Sequence, residues 1–146
     1  MPQDTSQDHH GGCLCGAVRY RVAGPLRPVV ACHCGQCRRT SGHHVAATQA
    51  HRADLTIEGD GAITWFQASE TARRAFCKIC GSHLFWDPVG GDKVSIFAGS
   101  LDQPSGLELA EHIFVADKGD YYEIADGLPQ RAQGRTQVPI PDRADA

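Results

Sequence analysis

Seven cysteines stand in three tight groups along the chain: Cys13 and Cys15; Cys32, Cys34 and Cys37; Cys77 and Cys80. C-x-C and C-x-x-C spacings bring sulfurs close enough to share one ion, which limits how the intervening chain can fold. An odd number of cysteines cannot close completely into disulfides within one chain. Residues 1–10 are polar and lack the apolar core of a secretory signal. That pattern predicts a cytoplasmic protein, in a reducing compartment where disulfides are rare. Metal thiolates are therefore the expected state, with zinc as the ion. The single methionine offers no thioether set for copper. Three alternatives compete: buried free thiols acting as small hydrophobes, one zinc with the other cysteines incidental, and iron or an iron–sulfur cluster. The clustering argues against the first.

The grouping divides seven into four and three. Cys13, Cys15, Cys77 and Cys80 would make a closed Cys₄ site, and closed tetrahedral sites are structural. Such a site would tie the start of the domain to a distant segment, where loop closure makes a cross-link effective. Cys32, Cys34 and Cys37 would hold a second ion and leave one position open for water or substrate, the pattern of a catalytic metal. Side chains two apart on a strand share a face, so each C-x-C pair is expected on a strand. By the same period His33 points away from Cys32 and Cys34 and is set aside as a ligand. Arg38 and Arg39 follow Cys37 and are the expected counter-charges to a three-thiolate site.

The remaining sequence reads as mainly β. Val18, Tyr20 and Val22 alternate with Arg19 and Arg21, the period of a half-buried strand. Further short strands are expected over 29–31, 45–49, 55–57, 63–66, 74–76, 83–86, 93–97 and 112–115, with a polar turn or single helical turn over 35–42. No sustained helical stripe exists. One domain over 11–134 is expected, with flexible tails over 1–10 and 135–146. The formal net charge of −3, without a basic run, argues against a nucleic-acid partner. No apolar run is long enough for a transmembrane helix, so no membrane partner is expected.

Three segments together resemble a known family: Gly12-Cys-Leu-Cys-Gly16, Cys32-His-Cys-Gly-Gln-Cys-Arg-Arg-Thr-Ser-Gly42 and Phe76-Cys-Lys-Ile-Cys-Gly-Ser82. Gly99-Ser-Leu-Asp102, His112-Ile-Phe-Val-Ala-Asp-Lys118 and Asp126-Gly-Leu-Pro-Gln130 extend the likeness. The pattern is similar to the glutathione-dependent formaldehyde-activating enzyme family, also called the GFA/CENP-V domain. The resemblance implies a β-tent of antiparallel sheets and two zinc ions, the second labile and held by Cys32, Cys34 and Cys37. It also implies a carbon–sulfur lyase that condenses formaldehyde with glutathione to S-hydroxymethylglutathione. A small thiol such as glutathione is then the expected partner. Acid–base candidates are His33, His43, His44 and His83, whose type titrates near neutrality. A second functional class stays open: a non-catalytic zinc module binding a small thiol or a protein partner. For that class Trp65, Phe66, Phe85 and Trp86 are either a recognition surface or core aromatics.

Overall fold

In a computed structural model, residues 8–143 are described, and among them ten short strands, one α-helix and four single 3-10 turns make up the regular structure. The strands are β1 (His9–Gly12), β2 (Arg19–Val22), β3 (Val29–Cys32), β4 (Val45–His51) and β5 (Leu55–Glu58), followed by β6 (Ile63–Gln67), β7 (Ala72–Cys77), β8 (His83–Pro88), β9 (Lys93–Phe97) and β10 (Leu109–Ile113). The helix α1 (Gly35–Ser41) sits between β3 and β4. A three-stranded sheet runs β1-β2-β5, and a seven-stranded sheet runs β10-β3-β4-β9-β8-β7-β6. The expected mainly-β domain of antiparallel sheets is what forms, apart from one pair. β10 lies parallel to β3, with Ile113 beside Cys32. Among the described residues no helix is long and apolar enough to cross a membrane.

Alternation decides which face each residue serves. On β9, Val94 and Ile96 enter the main core with Phe85, Leu84 and Ala50, while Phe97 points to the opposite face with Val45 and Trp86. The small sheet supplies Tyr20 and Val22 to that main core. The two sheets meet where the Tyr20 ring stands edge-on to Phe85, with centroids 5.3 Å apart. The large sheet therefore uses both faces: one against the small sheet, the other against α1.

Several elements differ from the sequence expectation. β1 begins at His9, where a tail was expected, and its pairing with β2 is set by backbone bonds rather than by an apolar pattern. The expected single helical turn is the seven-residue α1, started by Cys34 and stopped by Gly42, which takes a left-handed φ of 86° at the C-cap. The strand expected over 112–115 is shifted toward the N-terminus, because Phe114 turns left-handed (φ 54°) and ends β10 at Ile113. The expected tails fall partly outside the described residues, at 1–7 and 144–146. Residues 135–143 form no helix or strand, yet Arg143 donates to Asp54 at 2.6 Å and Thr136 bonds Glu111.

Phe85 is fully buried at the junction of the sheets. Phe85→Ala should destabilise the fold by about 3–5 kcal/mol, the range for removing a packed aromatic. Denaturant unfolding would read this, and a loss below about 1 kcal/mol would mean the sheets do not depend on that contact.

Candidate metal centres

The four-cysteine group is made by two turns. Cys13 and Cys15 flank a tight turn between β1 and β2, closed by Gly16 N–H donating to the Cys13 carbonyl at 3.2 Å. This corrects the expectation that the pair sits on a strand: the chain reverses at Leu14, and the turn rather than the strand period gathers the sulfurs. Cys77 ends β7, and Cys80 lies in the following turn, where Gly81 N–H donates to the Cys77 carbonyl at 2.7 Å. Gly81 has φ of +81°, which a Cβ-bearing residue adopts only with strain. Leu14 N–H donates to the Ser82 hydroxyl at 2.9 Å and joins the two turns directly.

All four ligand atoms lie within 4.8 Å of one another. Cys13–Cys15 is 3.6 Å and Cys15–Cys77 is 3.7 Å. A tetrahedral ion with metal–sulfur bonds of about 2.3 Å requires sulfur–sulfur edges of about 3.8 Å. A disulfide needs about 2.05 Å. The group therefore fits an ion and not a covalent bridge. Hydrogen bonds from the Ser82 side chain and then its backbone bring the Cys80 thiol down to about 5, which favours the thiolate a metal requires.

The three-cysteine group lies on the other face of the large sheet. Cys32 ends β3, Cys34 caps α1 with its sulfur accepting Cys37 N–H at 3.3 Å, and Cys37 stands one turn into the helix. Their three sulfurs also lie within 4.8 Å of one another. Hydrogen bonds from Cys32 and then Cys37 drive the Cys34 thiol well below the ordinary thiol range, aided by backbone N–H groups. The same sharing with Cys34 and Cys37, together with burial, drives Cys32 upward.

This group opens on a cleft of about 630 Å³. Its lining includes Arg27, Arg74, Trp86 and Phe97, and none of His33, His43, His44 or His83. A larger cleft of about 940 Å³, between β1 and the 101–110 segment, contains no cysteine and is remote from this chemistry. Arg74 donates from one terminal nitrogen to Cys37 Sγ at 3.2 Å and from Nε to the Gln36 side-chain oxygen Oε1 at 2.7 Å. Its other terminal nitrogen, Nη1, is buried without a hydrogen-bond partner among the described residues. The counter-charge expected from Arg38 and Arg39 thus comes from Arg74. Arg38 donates instead to the Asp117 carbonyl at 3.4 Å, and Arg39 is exposed. Arg74 is separated from Cys37 by 37 residues and reaches it through the order of strands in the large sheet. No local spacing could have revealed it.

His33 lies outside the sulfur group, although the strand expected across Cys32-His-Cys34 stops at Cys32 and Cys34 caps α1. It is 1% exposed and belongs to a chain of hydrogen bonds. Tyr122 hydroxyl meets His33 Nδ1 at 2.5 Å, His33 Nε2 meets His112 Nδ1 at 2.9 Å, and His112 Nε2 meets Asp126 at 2.7 Å. With neutral rings, Tyr122 donates to His33, His33 to His112, and His112 to the carboxylate; with His112 charged, the first two bonds reverse and the chain still closes. Burial, with the nearby His44 second, lowers His33 to about 4. The chain pins the segment between two candidate ligands to β10 and to the loop beyond it. Of the aromatics weighed earlier, Phe85 is core, Trp65 packs against it, Phe66 is exposed, and Trp86 lines the cleft.

Comparison with known proteins agrees with this geometry. Residues 8–117 match the family described as glutathione-dependent formaldehyde-activating enzyme. The chain belongs to that family. A Halomonas elongata protein, named provisionally for the same activity, is 33% identical over 93% of this chain and 90% of its own length. An uncharacterised lyase of Schizosaccharomyces pombe is 24% identical over 82% of this chain and 87% of its own. A crystal structure of a Rhodobacter sphaeroides protein is 26% identical, with a TM-score of 0.56, and covers 68% of this chain and 97% of that one. The family match takes in both cysteine groups, Arg74 and Phe85.

The two groups should respond differently to mutation. Loss of a tightly held structural ion removes about 4 kcal/mol when the free ion exceeds its dissociation constant a thousandfold. For a chain of this size that is roughly 8–16 °C in Tm. Cys80→Ser should show a fall of that order, whereas Cys37→Ser should melt within about 3 °C of the unaltered protein. Equal falls in thermal scans would contradict the division into a stapling site and an open one.

Proposed function

We propose that this chain is a two-zinc enzyme of the carbon–sulfur lyase type, acting in the reducing cytoplasm on a thiol adduct such as S-hydroxymethylglutathione. Cys13, Cys15, Cys77 and Cys80 would hold the structural zinc. Cys32, Cys34 and Cys37 would hold the second, exchangeable one. The observation that carries this reading is the placement of the three-cysteine group at the floor of a cleft that the four-cysteine group does not reach. In the condensing direction the thiol sulfur bonds to the formaldehyde carbon, the carbonyl π bond breaks, and the thiol proton ends on the new hydroxyl oxygen.

A zinc ion held by three thiolates would lower the pKa of an incoming thiol or polarise the aldehyde. The chain's own groups prepare the place. Arg74 holds a positive charge against Cys37 and offsets the net −1 of three thiolates with one dication. Its unpartnered Nη1 supports an acceptor oxygen arriving with the substrate, because a buried donor left unmet costs about 1–3 kcal/mol. Trp86 and Phe97 provide an apolar wall beside the sulfurs and limit the water that reaches them. Arg27, lowered to about 10 by burial, stays a cation at neutral pH and faces the same space. Holding thiol and aldehyde together there removes part of the entropic barrier.

Loss of free formaldehyde in the presence of glutathione should be faster with protein than in buffer. Cys37→Ser should return the rate to the buffer value while the protein stays folded. A rate equal to buffer at high concentration of zinc-loaded protein would contradict the lyase reading and favour a thiol-binding module without turnover.

A further inference from the structure

The rim of the cleft contains residues that the family match does not reach. The match ends at residue 117, yet Arg135, Thr136 and Val138 line the same cleft as Cys32, Cys34 and Cys37. The segment has no regular secondary structure, so its position depends on side chains. Glu111 on β10 supplies the anchor. It is 4% exposed, and its carboxylate accepts from Arg131 Nε at 3.2 Å and from the Thr136 hydroxyl. Val138 N–H then donates to the Thr136 oxygen at 3.1 Å. Upstream, Arg131 N–H donates to the His112 carbonyl at 2.8 Å, and Val115 N–H donates to the Arg131 carbonyl at 3.0 Å. A buried carboxylate is tolerated only when its oxygens are paired. Here both oxygens are occupied in fixing one short stretch of chain over the cleft.

The consequence falls on Arg135, directly beside the Thr136 anchor. Its guanidinium lies 5.7 Å over the Trp86 ring, and it meets no carboxylate among the described residues. The whole lining shows the same imbalance. It carries Arg27, Arg74, Lys93 and Arg135 and no Asp or Glu, on a chain whose formal net charge is −3. Arg27 and Arg74 are buried and engaged by backbone carbonyls, Gln36 and Cys37. Lys93 and Arg135 are exposed at the rim, with their charges free to meet an incoming group. A cleft of one sign concentrates ligands of the other and selects among them.

We propose that residues 135–139 form a specificity wall of the thiol cleft and that Arg135 binds a carboxylate of an anionic thiol. This rests on the reading of the three-cysteine group as a thiol site. Glutathione, with two carboxylates and one ammonium, suits such a wall, whereas a neutral thiol with the same sulfur chemistry gains nothing from it. Arg135 acts on affinity and leaves the sulfur chemistry to the cysteines.

Cobalt-loaded protein, titrated with glutathione and separately with 2-mercaptoethanol while the thiolate-to-cobalt absorption is followed, tests this. Arg135→Ala should weaken glutathione binding about fivefold and Arg135→Glu more than tenfold, with both leaving 2-mercaptoethanol within about twofold, as expected for a rim charge pair. The glutathione preference should also shrink as salt rises. Equal losses for both thiols, or no loss for either, would overturn the wall while leaving the thiol site standing. A spectrum unmoved by either thiol in the unaltered protein would overturn the thiol reading itself, and the wall with it.

Discussion

Four sulfurs gather where two turns meet, turns that the Leu14–Ser82 hydrogen bond and the core also join. One turn belongs to the small sheet and the other to the large sheet, and a single shared ion at Cys13, Cys15, Cys77 and Cys80 would fix their distance. Cys13 and Cys77 are also part of the main core, so the same site borders the packing of Tyr20 against Phe85. In a chain this size an apolar core alone can support a fold. An ion there would help set the angle at which two short-stranded sheets face each other, which a non-directional apolar core does not determine by itself.

That arrangement leaves the second face of the large sheet for chemistry. Strand alternation sends Val94 and Ile96 to the shared core and Phe97 to the cleft, and it sends Ala75 to the core and Arg74 to Cys37. The large sheet thereby carries the four-cysteine group on one side and the three-cysteine group on the other. The His33–His112 chain locks the short linker between β3 and α1 from behind. The sulfurs of Cys32 and Cys34 are thus presented to the cleft by a segment hydrogen-bonded from behind.

Much of this was legible in the chain. The division into four and three cysteines and most strand positions follow from local spacing and a period of two. Most of what escaped depends on pairings between residues far apart in sequence. Arg74 reaches Cys37 through sheet order, His112 reaches His33 through the one parallel strand pair, and Glu111 gathers Thr136 from the far end of the chain. β1 was missed because His9-His-Gly-Gly12 has no apolar alternation and is ordered by ladder bonds to β2. The turn at Cys13–Cys15 was read as a strand because C-x-C satisfies either geometry.

The account turns on metal. Elemental analysis of protein purified without added metal or chelator tests it most directly. Near two zinc ions per chain, falling to about one in Cys37→Ser, is the predicted result. Iron in place of zinc, or fewer than one ion per chain in well-folded protein, would contradict it.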